Sequence, residues 1–261
     1  MTNIIFARPR HDYGSYQDLW QLISLSGFPL VYYDEIDVDA DATYILTIRN
    51  GDIENGFPAS RARLVLWDIE YRHAPPPPIP GVPEVWHMDK WQAALIGAKY
   101  VPIGGHPGLK LDADPLLYPE PFDVAYLGYM TYRRQRIYNE LQGRGVRMPV
   151  TSAWGTERHN ILSASRAYLH VHQSEEFPAV PGLRLVVAAA YKLPVIMEEC
   201  ADLGVFGHVY TLPSGDIAKN VRFWLYEFNE RANDAMNNTG EALHDFLCRD
   251  LTFRASVERA L

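Results

Sequence analysis

The segment NIIFA (residues 3–7) is a short apolar run bounded by polar residues, which predicts a buried first strand. After the loop RPRHDYGS (8–15) the period changes. In YQDLWQLISLSG (16–27), Leu19, Leu22, Ile23 and Ser26 recur at helical spacing, and Gly27 is placed to stop the helix. PLVYYDE, TYILTIR and ARLVLWDIE then predict three more strands, while HAPPPPIPGVP (73–83) is too rich in proline for a helix or a central strand. EVWHMDKWQAALIG reads as strand then helix, and KYVPIGGHPGL as strand and turn. A second cycle opens at residue 122: DVAYLG is a strand ending in glycine, and RRQRIYNELQGRG carries an apolar face through Ile137 and Leu141. Two more cycles, ERHNILSASRAYLHVHQ and LRLVVAAAYKLPVIME, precede a mainly helical tail from about Ile217.

Strands alternating with amphipathic helices predict an α/β chain. LKLDADPLLYPEP (109–121) has no period and carries prolines, so the expected division is an N-terminal Rossmann-like domain, 1–115, and a C-terminal one, 116–261, that includes the helical tail. The chain has 261 residues, enough for two small cores. No run approaches a membrane span, and MTNIIFARPR lacks the design of a signal peptide. Cys200 and Cys248 stand far apart without metal spacing, which suits free thiols in a cytoplasmic protein. A net charge of −8 argues against a general DNA binder, leaving room only for a local basic groove to which Arg8, Arg10, Arg72 and Arg133–Arg136 could contribute.

The loops after the strands hold the candidate chemistry, since ligands of open parallel sheets bind outside the carboxyl ends of strands. Arg184 follows a Pro-Gly pair and opens an apolar helix, and Arg133 and Arg134 open another after Gly128. A cation is disfavoured at a helix start unless an anion normally sits there, and helix starts are ready phosphate sites. Two such turns point to a diphosphate. The G-x-G-x-x-G and P-loop patterns are absent, which disfavours a dinucleotide dehydrogenase or an NTPase. The D-x-D sequences within 37–41 and 112–114 are expected to be solvated acidic loops, and no metal site is expected.

DVAYLGYMTYRRQRIYNELQGRG, AWGTE and ASRAYLHVHQSEEFPAVPGLRLVVAAAYKLPVIME together resemble the carboxy-terminal half of a GT-B glycosyltransferase, nearest in flavour to the CgeB-like and family-4-like group. The resemblance covers roughly residues 98–212 and extends to the first 97 by architecture alone. It implies two Rossmann-like domains facing a cleft, with no cofactor beyond a nucleotide-sugar co-substrate, a UDP-sugar by preference. Arg184, with the backbone of Gly182 and Leu183, would meet the donor diphosphate, assisted by Arg133 or Arg134 beside Gly128 and Thr131. Trp154 and Gly155 would lie near the base, and His172, Gln173 and Ser174 near the sugar or its phosphates. Cationic side chains and helix ends would replace a metal ion at the leaving group.

One departure is plain. Where many retaining members carry a Glu-x7-Glu pair, this chain aligns Ala179 and Val187, and Glu175 and Glu176 are out of register. Valine cannot accept a ribose hydrogen bond, so either the ribose is held elsewhere, with Glu198 and Glu199 as candidates, or the donor chemistry differs. An inverting reaction needs a base for the acceptor's proton; His11 and Asp12, after the first strand, are the expected acid/base pair for it, and Asp68, Glu70 and His73 form a second candidate cluster. The expected function is transfer of a hexose or pentose from a nucleoside-diphosphate sugar to a hydroxyl on a small molecule, a glycan or a hydroxymethylated base in viral DNA. A nucleotide-sugar epimerase and a non-catalytic nucleotide-sugar-binding subunit are the competing readings.

Overall fold

The computed structural model describes residues 3–11, 13–110, 122–149, 155–213, 215–227 and 230–261, with side chains 227–237 left aside. It divides into two compact units, 1–103 with 253–261, and 104–252.

The first unit is built on a six-stranded sheet of β1 (Asn3–Arg8), β2 (Leu30–Tyr32), β3 (Ala42–Leu46), β4 (Arg63–Asp68), β5 (Glu84–His87) and β6 (Lys99–Tyr100), in the order β2-β1-β3-β4-β5-β6. Every pairing is parallel, with Ala7 opposite both Val31 and Leu46. The central strands are buried on both faces, as their unbroken apolar runs require. The crossovers contain α1 (Gln17–Leu25), α2 (Gly51–Glu54) and α3 (Lys90–Ile96). The side chain of Asp89 caps α3 by accepting from the Gln92 amide at 2.6 Å, and Gly97 ends it in the left-handed conformation. The chain runs from β1 outward to β2 and then back across to β3, so the carboxyl ends of β1 and β3 flank the point where strand order reverses.

The second unit holds α4 (Tyr132–Gly143), α5 (Gly155–Ser163), β7 (Tyr168–His170), α6 (Gly182–Ala190), β8 (Val195–Glu198), β9 (Tyr210–Leu212), α7 (Ile217–Arg222) and α8 (Glu230–Asp245). Its parallel sheet runs β7-β8-β9. The expected strand at DVAYLG runs beside β7 without forming a full ladder. It is bridged in parallel at Phe122–Ser165 and Ala125–Tyr168, where the Leu169 amide donates to the Ala125 carbonyl at 2.8 Å. Val124, Tyr126, Ile137, Leu141, Leu169, Val171 and Ile196 share one buried core, which fixes α4 against this sheet.

The last helix, α9 (Phe253–Ala260), belongs to the first unit, whereas the sequence pattern assigned the whole tail to the second half. Phe253 is the reason. Its ring is fully buried, stacked on Trp67 at 5.5 Å and close to Phe6 and Phe28. Arg254 donates to the Ser26 carbonyl at 3.0 Å, Ser256 to that of Pro102, and Lys99 to that of Ala260. The expected division near residue 115 lies outside the described residues, and the compact units part at Ile103. Among the described residues no helix is long and apolar enough to cross a membrane.

Candidate functional site

In the second unit the strand-like segment ends at Gly128, whose φ of +140° is closed to most side chains. A methyl group there would lie 3.0 Å from the guanidinium of Arg184, so the missing side chain makes the room that Arg184 occupies. Arg184 is the third residue of α6. That helix begins with no capping side chain and no acidic residue in its first turn, leaving its positive end uncompensated. No carboxylate among the described residues pairs with Arg184.

Five buried groups feel its charge. The Tyr168 hydroxyl is fully buried; burial raises its pKa, and Arg184, which reaches it directly, opposes that rise together with Arg134 and Arg158. His170, at the end of β7, is also buried, with Nδ1 unpartnered. Burial first, then the charge of Arg184, hold its pKa well below the usual histidine value. Burial pushes Arg158 down to about 10, with Arg184 adding repulsion, and pulls Arg134 down as well. Tyr126, under Arg134, is pushed up to about 12 by burial, which the arginines oppose. Positive charge thus converges on buried polar groups, an arrangement that an anion would relieve.

The fold places these turns in a familiar frame. Over 98% of its length the chain superposes on a glycosyltransferase of avilamycin A biosynthesis, AviGT4, with a TM-score of 0.61, 12% identity and 95% of that chain covered. It superposes equally on a DNA-modifying β-glucosyltransferase crystallised with and without uridine diphosphoglucose, with a TM-score of 0.62, 13% identity and 98% of each chain covered. A glycosyltransferase from Rickettsia africae gives a TM-score of 0.60 at 9% identity, over 99% of this chain and 97% of that one. This is the GT-B glycosyltransferase fold. No family model matches the chain. By sequence it is similar to two uncharacterized proteins of Acanthamoeba polyphaga mimivirus. L140 is 31% identical over 83 residues (31% of this chain), and L138 is 24% identical over 110 residues (40% of this chain). The matched stretches span only 27% and 12% of those proteins' lengths.

Within the GT-B frame the other expected residues divide. Arg133 is not a free cation: both of its terminal nitrogens bond the Glu198 carboxylate, one at 3.0 Å, and Nη1 also donates to the His172 carbonyl. Glu198 accepts the His172 amide besides, at 2.9 Å. This buried carboxylate is therefore occupied and does not offer itself to a ribose; its charge is matched inside the protein. Arg134 is buried and ties down two loop carbonyls, those of Val171 at 3.0 Å and Tyr129 at 2.8 Å. Thr131 caps α4 and donates to the Gln173 carbonyl. His172 donates from Nε2 to the Glu199 carbonyl at 2.9 Å, and Ser174 accepts from the Glu176 amide. The Gly182 amide is taken by the Val180 carbonyl. Gly155 opens α5, and Val187 is buried in α6, away from any polar role.

His11 lies in the first unit, exposed, its ring edge-on to Tyr13 at 4.5 Å. Asp12 and Trp154 lie outside the described residues. In the second candidate cluster, Asp68 is fully buried and paired with Arg72 at 2.7 Å. Sequence reasoning missed Arg158, Tyr168 and His170. Arg158 carried a usable signal, because it marks a third helix with an arginine in its first turn; Tyr168 and His170 read as ordinary strand residues.

Proposed function

We propose that the chain is a glycosyltransferase that moves a sugar from a nucleoside-diphosphate sugar, a UDP-sugar by preference, to a hydroxyl acceptor. The reading is carried by Arg184: a guanidinium with no carboxylate partner among the described residues, seated in the gap left by Gly128 at the uncapped start of α6. In this reading the donor diphosphate rests on Arg184 and on the positive end of α6. Arg158 and Arg134 deepen the field behind it, and the buried Tyr168 hydroxyl beside Arg184 is an uncharged donor. As the bond from the anomeric carbon to the diphosphate oxygen breaks, negative charge builds on that oxygen. Cations already in place stabilise it without reorganising. Arg133 acts indirectly, because its pairing with Glu198 fixes the loop carrying His172. With Glu198 occupied, Glu199, exposed after β8, takes the ribose hydroxyls. His11 with Asp12 takes the proton that the acceptor hydroxyl loses on attack.

The test is incubation with labelled UDP-sugars and a panel of hydroxyl acceptors, following UDP release and label transfer. Interconversion of the sugars without transfer would favour the epimerase reading, and UDP binding without turnover the non-catalytic subunit. Arg184→Ala should weaken UDP binding by about 2–4 kcal/mol, the loss of a charge-assisted phosphate contact in a partly buried site. Unchanged UDP affinity by calorimetry would overturn the assignment of this site.

A further inference from the structure

Arg8 is the last residue of β1, at the carboxyl end of the strand where the order of the first sheet reverses, the edge at which open parallel sheets take their ligands. Its guanidinium carbon lies 4.3 Å from the centre of the Trp20 ring and 5.1 Å from that of Tyr32, whose hydroxyl accepts from Nη2 at 3.3 Å. Arg10 lies over the same Tyr32 ring at 4.4 Å, so two like charges share one aromatic ring.

Their neutralisation differs. Arg10 pairs with Asp34 at 2.8 Å and Glu35 at 3.3 Å, and at the same edge Arg72 pairs with Asp68 and Arg49 with Glu54. Arg8, half-buried, has no carboxylate among the described residues. Trp20, which it covers, is only 6% exposed, and its indole N–H has no acceptor among the described residues. A guanidinium clamped between rings cannot swing away, so its outer N–H edge presents a fixed fork suited to phosphate.

We infer that Arg8, held by Trp20 and Tyr32, is an anion subsite for a single phosphate group carried by the acceptor, formed by residues separate from those at Gly128 and Arg184. The inference rests on the glycosyltransferase reading and narrows it, because the neighbouring cations are already neutralised. The edge therefore suits one phosphate ester and not a polyanionic strand.

The experiment follows the Nε–H resonance of Arg8 by nuclear magnetic resonance in protein saturated with UDP, assigned by its loss in Arg8→Lys. The probes are inorganic phosphate, glucose 6-phosphate, glucose and a twelve-nucleotide single-stranded DNA. Glucose 6-phosphate and phosphate should shift the resonance saturably, and glucose should not. Arg8→Gln should weaken glucose 6-phosphate binding at least tenfold while changing UDP affinity less than twofold. Arg8→Lys, which keeps the charge, should retain an intermediate affinity. Should Arg8→Gln not fold, the wild-type resonance and Arg8→Lys decide alone. An Arg8 signal indifferent to every phosphate, in protein that binds UDP, overturns the subsite and leaves the donor reading intact. Tighter binding of the oligonucleotide than of glucose 6-phosphate overturns the single-phosphate assignment. A normal Arg8 response in protein that does not bind UDP condemns the donor site alone.

Discussion

At Gly128 one methyl group separates an open site from a crowded one. Gly128→Ala places a Cβ 3.0 Å from the Arg184 guanidinium in a backbone conformation that alanine resists. We expect a fold cost of about 1–3 kcal/mol from the backbone strain and at least a tenfold loss of UDP affinity as Arg184 is displaced. A thermal melt and calorimetry separate the two; full affinity at reduced stability would show that the guanidinium is free to move. The same residues show what the sequence carried at this scale. An arginine after Pro-Gly at a helix start was legible as a misplaced charge, because the helix end makes it costly wherever no anion comes. That Arg133 is cancelled by Glu198 was not legible, since the two lie 65 positions apart and meet only through the fold. Arg134 likewise looked like a ligand cation and instead holds two carbonyls.

Elements built on long apolar runs, such as β3 and β4, were legible because burial on both faces leaves no other pattern. The four-residue α2 and three-residue β9 were not, being shorter than the period needed to recognise them. The buried histidines of these elements give a pH dependence. His159 in α5 is hydrogen-bonded to the Tyr191 hydroxyl, and burial, with help from Arg158, pushes its pKa down to about 4. His170 in β7 and His87 in β5 are depressed too, chiefly by burial. Such groups stay neutral in the native state while the unfolded chain takes up protons below its ordinary value of 6.5. Stability should therefore rise with pH between about 4 and 6.5 and level off above. Urea midpoints across that range check the slope, and His159→Phe should flatten it; a midpoint that falls as pH rises would contradict the assignment.

For the whole molecule, the amphipathic tail showed that helices would bury a face but not against which sheet, because a face of Phe, Val and Ala suits either core. Phe253 makes the choice. Phe253→Ala should cost about 3–5 kcal/mol, as for a fully buried aromatic. Hydrogen exchange should quicken in residues 3–103, the unit that Phe253 completes. Quickening confined to 104–252 would place the helix elsewhere in solution. The chain leaves the first unit at Ile103 and re-enters it at Phe253, side by side with itself where Gly105 bridges Thr252. The joint between the units is therefore doubled. A protease that severs one crossing yields two chains that the packing of α9 on the first sheet still holds together, so a singly nicked molecule should migrate as one species until denatured, and then as two fragments.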